Sequence, residues 1–110
     1  MDTKAAVRSL AALAQDSRLE VFRLLVQAGP QGLPAGEIAE RLAIPASTLS
    51  FHVKALSQAG RVESRPESRF IYYSANFASM NALLSFLGEN CCGGQSCLPR
   101  APTGRRKRTS

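Results

Sequence analysis

The three cysteines of this chain, Cys91, Cys92 and Cys97, all lie in one short stretch, ENCCGGQSC. An odd number of thiols cannot pair completely within one chain. Two chemistries suit them: ligation of a soft ion and thiol–disulfide exchange. Structural zinc takes four ligands and iron–sulfur clusters usually take four cysteines, so three thiolates fit neither well. Copper(I) accepts two or three thiolates. Trivalent arsenic and antimony form three bonds around a lone pair, which gives a trigonal pyramid on three sulfurs, and lead(II) adopts the same shape. Cys92 and Cys97 are also far enough apart to close a small disulfide loop, whereas the adjacent pair would form a strained ring. Adjacent residues on a regular helix point about 100° apart. Convergence of Cys91 and Cys92 therefore needs an irregular backbone, and Gly93-Gly94 supplies the freedom for one.

The elements before this cluster are legible from periodicity and punctuation. Val7, Leu10, Ala11, Leu13 and Ala14 have helical spacing, and a second helix begins with Asp16 or Ser17 as N-cap and stops at Gly29-Pro30. Pro34 opens a short third helix with Ile38, Ala39 and Leu42 inward. After the break IPAST a fourth runs from about Ala46 to Ala59, with Leu49, Val53 and Leu56 as its buried stripe and Gly60 as its terminator. Arg61–Ser64 and Arg69–Ser74 are predicted strands around the turn RPES. Asn76 caps a last helix, Phe77 to about Gly88. Its stripe Met80, Leu83, Leu84 and Leu87 has little left to cover in so small a domain, which points to a partner subunit.

Residues 34–59 have the length and pattern of a helix-turn-helix. The N-terminal end of the second helix of such a unit enters the major groove of DNA. It carries Ser47, Thr48 and Ser50, whose hydroxyls reach base edges or phosphates, with His52 and Lys54 behind them. Arg65 and Arg69 bracket the hairpin tip as phosphate contacts. Each has a plainer role as well: Ser47 as a cap or first-turn residue, His52 as a hydrogen-bonded structural residue, the arginines as turn charges. Phe51 is unusual on a wet helix face, and both thymine-methyl contact and packing on the hairpin account for it.

The run GEIAERLAIPASTLSFHVKALSQAGRVESRPESRFIYYS resembles the winged-helix repressors of the ArsR/SmtB metalloregulator family, most specifically in STLSFHVKALSQAGRV and the hairpin ending YYS. The likeness covers about residues 4–87. It implies a mainly α fold with a small β-hairpin, a winged helix-turn-helix in the order α-α-α-α-β-β-α. It also implies a homodimeric repressor held through its first and last helices, here by Val7, Leu10, Met80, Leu83, Leu84 and Leu87, on double-stranded operator DNA. The Cys-Val-Cys pair of well-known arsenic sensors is absent from LPAGEIAERL, and the His and Asp ligands of zinc sensors are absent from FASMNALLSFLGEN. The C-terminal cluster instead resembles that of an arsenic-responsive subgroup. The resemblance thus favours As(III) or Sb(III) as effector on Cys91, Cys92 and Cys97, with no cofactor needed for folding. Redox sensing and other soft metals (lead, cadmium, copper(I)) stay as alternatives.

The expected organisation is a DNA-binding and dimerisation domain over 1–90, an inducer loop over 91–97 and a basic tail over 98–110. The net charge of +6 owes most to that tail, which holds Arg100, Arg105, Arg106, Lys107 and Arg108 and no acid. The nine basic residues that remain are nearly balanced by the 8 acids. No run approaches the ~18 apolar residues of a membrane span, and the N-terminus does not read as a signal peptide. A cytoplasmic protein with reduced thiols and no membrane partner is the expectation. A thiol enzyme is disfavoured, because no activating base or anion cradle stands near the cysteines.

Overall fold

The computed structural model describes residues 1–94. Its elements are α1 (Thr3–Leu13), α2 (Asp16–Ala28), β1 (Leu33–Pro34), α3 (Ala35–Leu42), α4 (Ala46–Gln58), β2 (Val62–Glu67), β3 (Phe70–Ala75) and α5 (Phe77–Leu87), followed by a 3-10 turn over Cys91–Gly94. This is the expected helical order with a hairpin before the last helix. Of the expected inducer loop 91–97, residues 91–94 are described; Cys97 and the basic tail lie outside the described residues.

One core holds the helices together: Val21, Phe22 and Leu25 of α2, Ile38 of α3, and Leu49, Val53 and Leu56 of α4, closed by Ala12, Val62 and Ala75. The turn between α3 and α4 is fixed by backbone bonds rather than by glycine. Ala43 takes the left-handed conformation (φ 55°), and the Ile44 N–H donates to the Ala39 carbonyl, 3.1 Å away. α4 ends in the same way, with more suitable chemistry. Gly60 (φ 77°) turns the chain, and the Arg61 N–H donates to the Leu56 carbonyl at 2.8 Å, the six-to-one bond of a Schellman cap.

Three local expectations are corrected. The α2 N-cap is Gln15, whose side-chain oxygen accepts from the Arg18 N–H at 2.9 Å, and not Asp16 or Ser17. The hairpin is longer than RPES allows: Pro66 pairs with Ile71 and Glu67 with Phe70, so the turn contracts to Ser68-Arg69 with Ser68 at φ 60°. The sheet order β1-β3-β2 makes β2 an edge strand, where a residue without an N–H is tolerated. The short strand β1 is an addition to the expected elements. It pairs Leu33 with Tyr73 and Pro34 with Tyr72, and it depends on Gly32: a Cβ there would sit 2.1 Å from the Tyr73 carbonyl oxygen. β1 thereby ties the base of the hairpin to α3.

Candidate nucleic-acid interface and thiol cluster

α4 divides into two faces. Leu49, His52, Val53 and Leu56 are buried, while Ser47, Ser50, Phe51, Lys54 and Ser57 are exposed, with Thr48 at the margin. The exposed set recurs every three to four residues, so it forms one stripe along the helix. Its N-terminus carries Pro45 as N-cap and no capping side chain, and no acidic residue lies in the first turn. Ser47 is thus a first-turn residue rather than the cap. The free N–H groups and positive dipole end of α4 suit a phosphate. Beside the stripe a shallow groove of about 240 Å³ runs between α4 and the hairpin, lined by Ser50, Lys54, Ser57, Ser64 and Tyr73.

His52 does not belong to the outward stripe. It is only 6% exposed, and its Nδ1 accepts from the Arg18 Nε–H at 3.3 Å. Burial, and then the neighbouring Arg18 charge, hold its pKa below the usual 6.5, so the ring is a neutral acceptor at neutral pH. The reason is angular: position 52 lies between 49 and 56 on the inner face. Sequence alone gives no hint of Arg18, whose spacing suits a wet side of α2.

The two hairpin arginines differ. Arg65 is committed inside the protomer: its Nη2 donates to the Gln31 carbonyl at 3.2 Å, its Nε to Glu67 at 3.1 Å, and its guanidinium lies 5.1 Å from the Tyr72 ring centroid. It anchors the wing to the loop before β1, and Glu67 offsets its charge. Arg69 at the turn has no such partner among the described residues. Lys54 and Arg69 are therefore the predicted cationic contacts whose charges remain available.

The apolar stripe of α5 also splits. Leu83 is 6% exposed and Met80 is partly buried against the core. Leu84 and Leu87 stay exposed, as do Val7 and Leu10 of α1, which packs beside α5. α1 turns Ala6, Ser9 and Ala12 inward instead. An open apolar groove of about 390 Å³, lined by Leu13, Leu19, Phe22, Val26, Met80 and Leu84 among others, adjoins this surface.

At the end of α5 the backbone is irregular, as convergence of adjacent cysteines requires. Cys92 takes φ 56° and Gly93 φ 69°, and the sulfurs of Cys91 and Cys92 come within 3.5 Å. Two sulfurs bound at ~2.3 Å to one ion span at most ~4.6 Å, so ligation by this pair needs Cys92 reduced to its thiolate and no large change in separation. Cys91 is a free thiol and Cys92 is disulfide-bonded. Among the described residues, no three His, Cys, Asp or Glu side chains gather as a metal site.

A helix-turn-helix domain model matches residues 13–65, from the end of α1 through α4 into the wing. The transcriptional activator HlyU of Vibrio cholerae is 30% identical over 79% of this chain and 78% of its own length. An ArsR-like transcriptional regulator from Rhodococcus sp. RHA1 superposes with a TM-score of 0.68 at 30% identity, covering 76% of each chain.

This chain belongs to the ArsR-like winged helix-turn-helix transcriptional regulators.

A homodimeric member of known structure, the DNA-binding domain of Mb0332 from Mycobacterium bovis, matches at 28% identity and a TM-score of 0.62 over 79% of this chain and 81% of that one. The HTH-type regulator YceK of Bacillus subtilis is 40% identical over 57% of this chain, which spans only 62% of YceK's length. Among the described residues, no helix is long and apolar enough to cross a membrane. Within this ArsR-like fold, α4 is the second helix of the helix-turn-helix and β2–β3 the wing.

Proposed function

We propose that this protein is a homodimeric, operator-binding repressor that leaves DNA when As(III) or Sb(III) binds its C-terminal thiolates. The observation that carries the DNA part is the outward stripe of α4, with its uncapped N-terminus and its Lys54 charge, together with Arg69 at the turn of the wing. Dimerisation through α1 and α5 is supported by Val7, Leu10, Leu84 and Leu87, apolar side chains left in water on adjoining helices, and by the homodimeric relative. Two such subunits present two recognition helices, so the expected operator is a palindrome with half-sites about one helical turn apart.

The effector part rests on ligand count. In the reduced protein Cys91, Cys92 and Cys97 offer three thiolates, the set that a trigonal-pyramidal ion takes. Binding would tie the three thiolates to one ion at the end of α5, and a differential stability of about 1–3 kcal/mol between DNA-bound and free forms is enough to change occupancy. The test uses reduced protein on duplexes selected by it from a random library, followed by fluorescence anisotropy. Arsenite should release the wild type, while Cys91→Ser, Cys92→Ser and Cys97→Ser should bind DNA normally and resist release. Equal release of these variants would refute the assignment.

A second reading is redox control by the same thiols, favoured by the disulfide at Cys92 beside the free thiol of Cys91. One of the solved HlyU structures is described as reduced. Under this reading peroxide, and not arsenite, releases DNA, and dithiothreitol restores binding.

A further inference from the structure

Phe51 is the one aromatic side chain on the outward stripe of α4, and 63% of its surface is in water. It is no member of the core, and its ring contacts among the described residues are to His52 and Arg18 rather than to an aromatic ring of the hairpin. Around it on the same face stand Ser47 one turn earlier and Lys54 one turn later, with Ser50 alongside. The hydroxyls are short, so the ring projects beyond them.

The ring is also held. The Arg18 guanidinium carbon lies 5.3 Å from its centroid, and the His52 ring meets it edge-on, with centroids 5.7 Å apart at 64°. Arg18 in turn is fixed by its Nε bond to His52 Nδ1. Two helices thus present a pre-oriented apolar surface on the face that the fold turns toward the major groove. That groove offers one apolar group among its donors and acceptors, the 5-methyl of thymine.

We propose that Phe51 is a specificity-determining residue that reads the thymine 5-methyl group, and that Arg18 is its positioning residue. The proposal rests on the DNA-reading function above and adds which base, and which atom of it, the helix selects.

The test uses the reduced full chain on duplexes that it selects from a random library. Each thymine is replaced in turn by deoxyuridine, which deletes only the methyl, and affinity is read by anisotropy at fixed salt. At one thymine per half-site the wild type should lose about fourfold, the ~0.8 kcal/mol of one buried CH₂-sized group. Phe51→Ala should bind the thymine and uracil duplexes equally, and Phe51→Leu should keep part of the ratio. Arg18→Gln should lower the ratio, whereas a phosphate contact alone would weaken both duplexes and leave it unchanged. Full wild-type discrimination in Phe51→Ala overturns the proposal, as does a wild type indifferent to every methyl on a duplex it nevertheless selects. An unchanged ratio in Arg18→Gln overturns the positioning role. Failure to select any sequence is a different result, which removes the DNA-reading function itself.

Discussion

The Arg61 guanidinium donates through Nη1 to the Ser79 carbonyl, 3.3 Å away, and so fastens the end of α4 to the first half of α5. Its Nε also donates to the Ala59 carbonyl at 3.3 Å. Two further bonds close the same joint: the Asn76 N–H to the Arg61 carbonyl at 2.9 Å, and Asn76 Nδ2 to the Gly60 carbonyl at 3.1 Å. Arg61 is only 6% exposed, and burial lowers its pKa. It still stays charged at neutral pH, as arginines do. Its partners are carbonyls, not a carboxylate, so the charge is held by dipoles where the recognition helix meets the helix that leads to the cysteines.

Arg61→Met keeps most of the apolar stem and removes both guanidinium bonds. The carbonyls of Ala59 and Ser79 then lose a donor, and unfolding free energy should fall by about 1–3 kcal/mol. The urea midpoint measures this. Because the joint lies between α4 and the thiol segment, the same variant should also show a smaller change in DNA affinity on adding arsenite. An undiminished effector response would mean that coupling runs elsewhere, for example across the dimer.

His52 gives the fold a pH dependence of known sign. Its folded pKa lies below its ordinary 6.5, because burial and Arg18 both oppose the charged form. As pH falls through about 6.5 the unfolded chain takes up this proton before the folded chain does, so the unfolded state binds more protons and stability drops. The loss continues until the lowered folded pKa is reached. Above pH ~7 both states are neutral at this site and the contribution is flat. His52→Gln should remove that part of the slope below about pH 7 in urea titrations. A slope as steep as the wild type's would place the titrating group elsewhere.

The helical frame is legible because its signals are local: apolar spacing, an Asn76 cap, and the Gly29 and Gly60 terminators. The order of the helices follows from these alone. What is not legible depends on residues distant in sequence. His52 looks like a neighbour of exposed Phe51 until Arg18, 34 residues away, is seen to occupy its Nδ1. Arg65 looks like a free hairpin charge until the Gln31 carbonyl and Tyr72 are brought to it by folding. Pro66 reads as a turn residue because nothing nearby says that β2 is an edge strand. The α5 stripe reads as one interface, although its residues divide between the protomer core and the outside, since the width of the core under α5 is a tertiary quantity.

Ala43 carries a cost that the fold does not require. It sits in the left-handed region at φ 55°, where a Cβ is unfavourable, and its side chain is exposed. Ala43→Gly should stabilise the α3–α4 turn by about 0.5–1 kcal/mol, with the gain partly offset by the extra freedom of glycine in the unfolded chain. Gly32→Ala is the opposite case, because the added Cβ meets the Tyr73 backbone. It should separate β1 from β3, with a loss of stability and of the wing's anchorage. Thermal midpoints for the two variants should move in opposite directions, and a common direction would contradict the backbone reasoning.

The three cationic side chains proposed to contact DNA, Lys54, Arg65 and Arg69, should separate in salt titrations. Each phosphate contact made by a lysine or arginine steepens the dependence of log K on log salt by about 0.9. Lys54 and Arg69 project charge with no acidic partner in the described residues, so Lys54→Ala and Arg69→Ala should each lower the slope by about that amount, with little change in sequence preference. Arg65 is offset by Glu67 and bonded to the Gln31 carbonyl, so its charge reaches DNA only weakly. Arg65→Ala should leave the slope nearly unchanged while loosening the wing, which appears as faster amide exchange in β2 and β3. Arg65→Lys should not restore that protection, because a lysine cannot make the forked contacts to Gln31 and Glu67. A slope change in Arg65→Ala equal to that in Arg69→Ala would show that Arg65 leaves its internal partners when DNA binds.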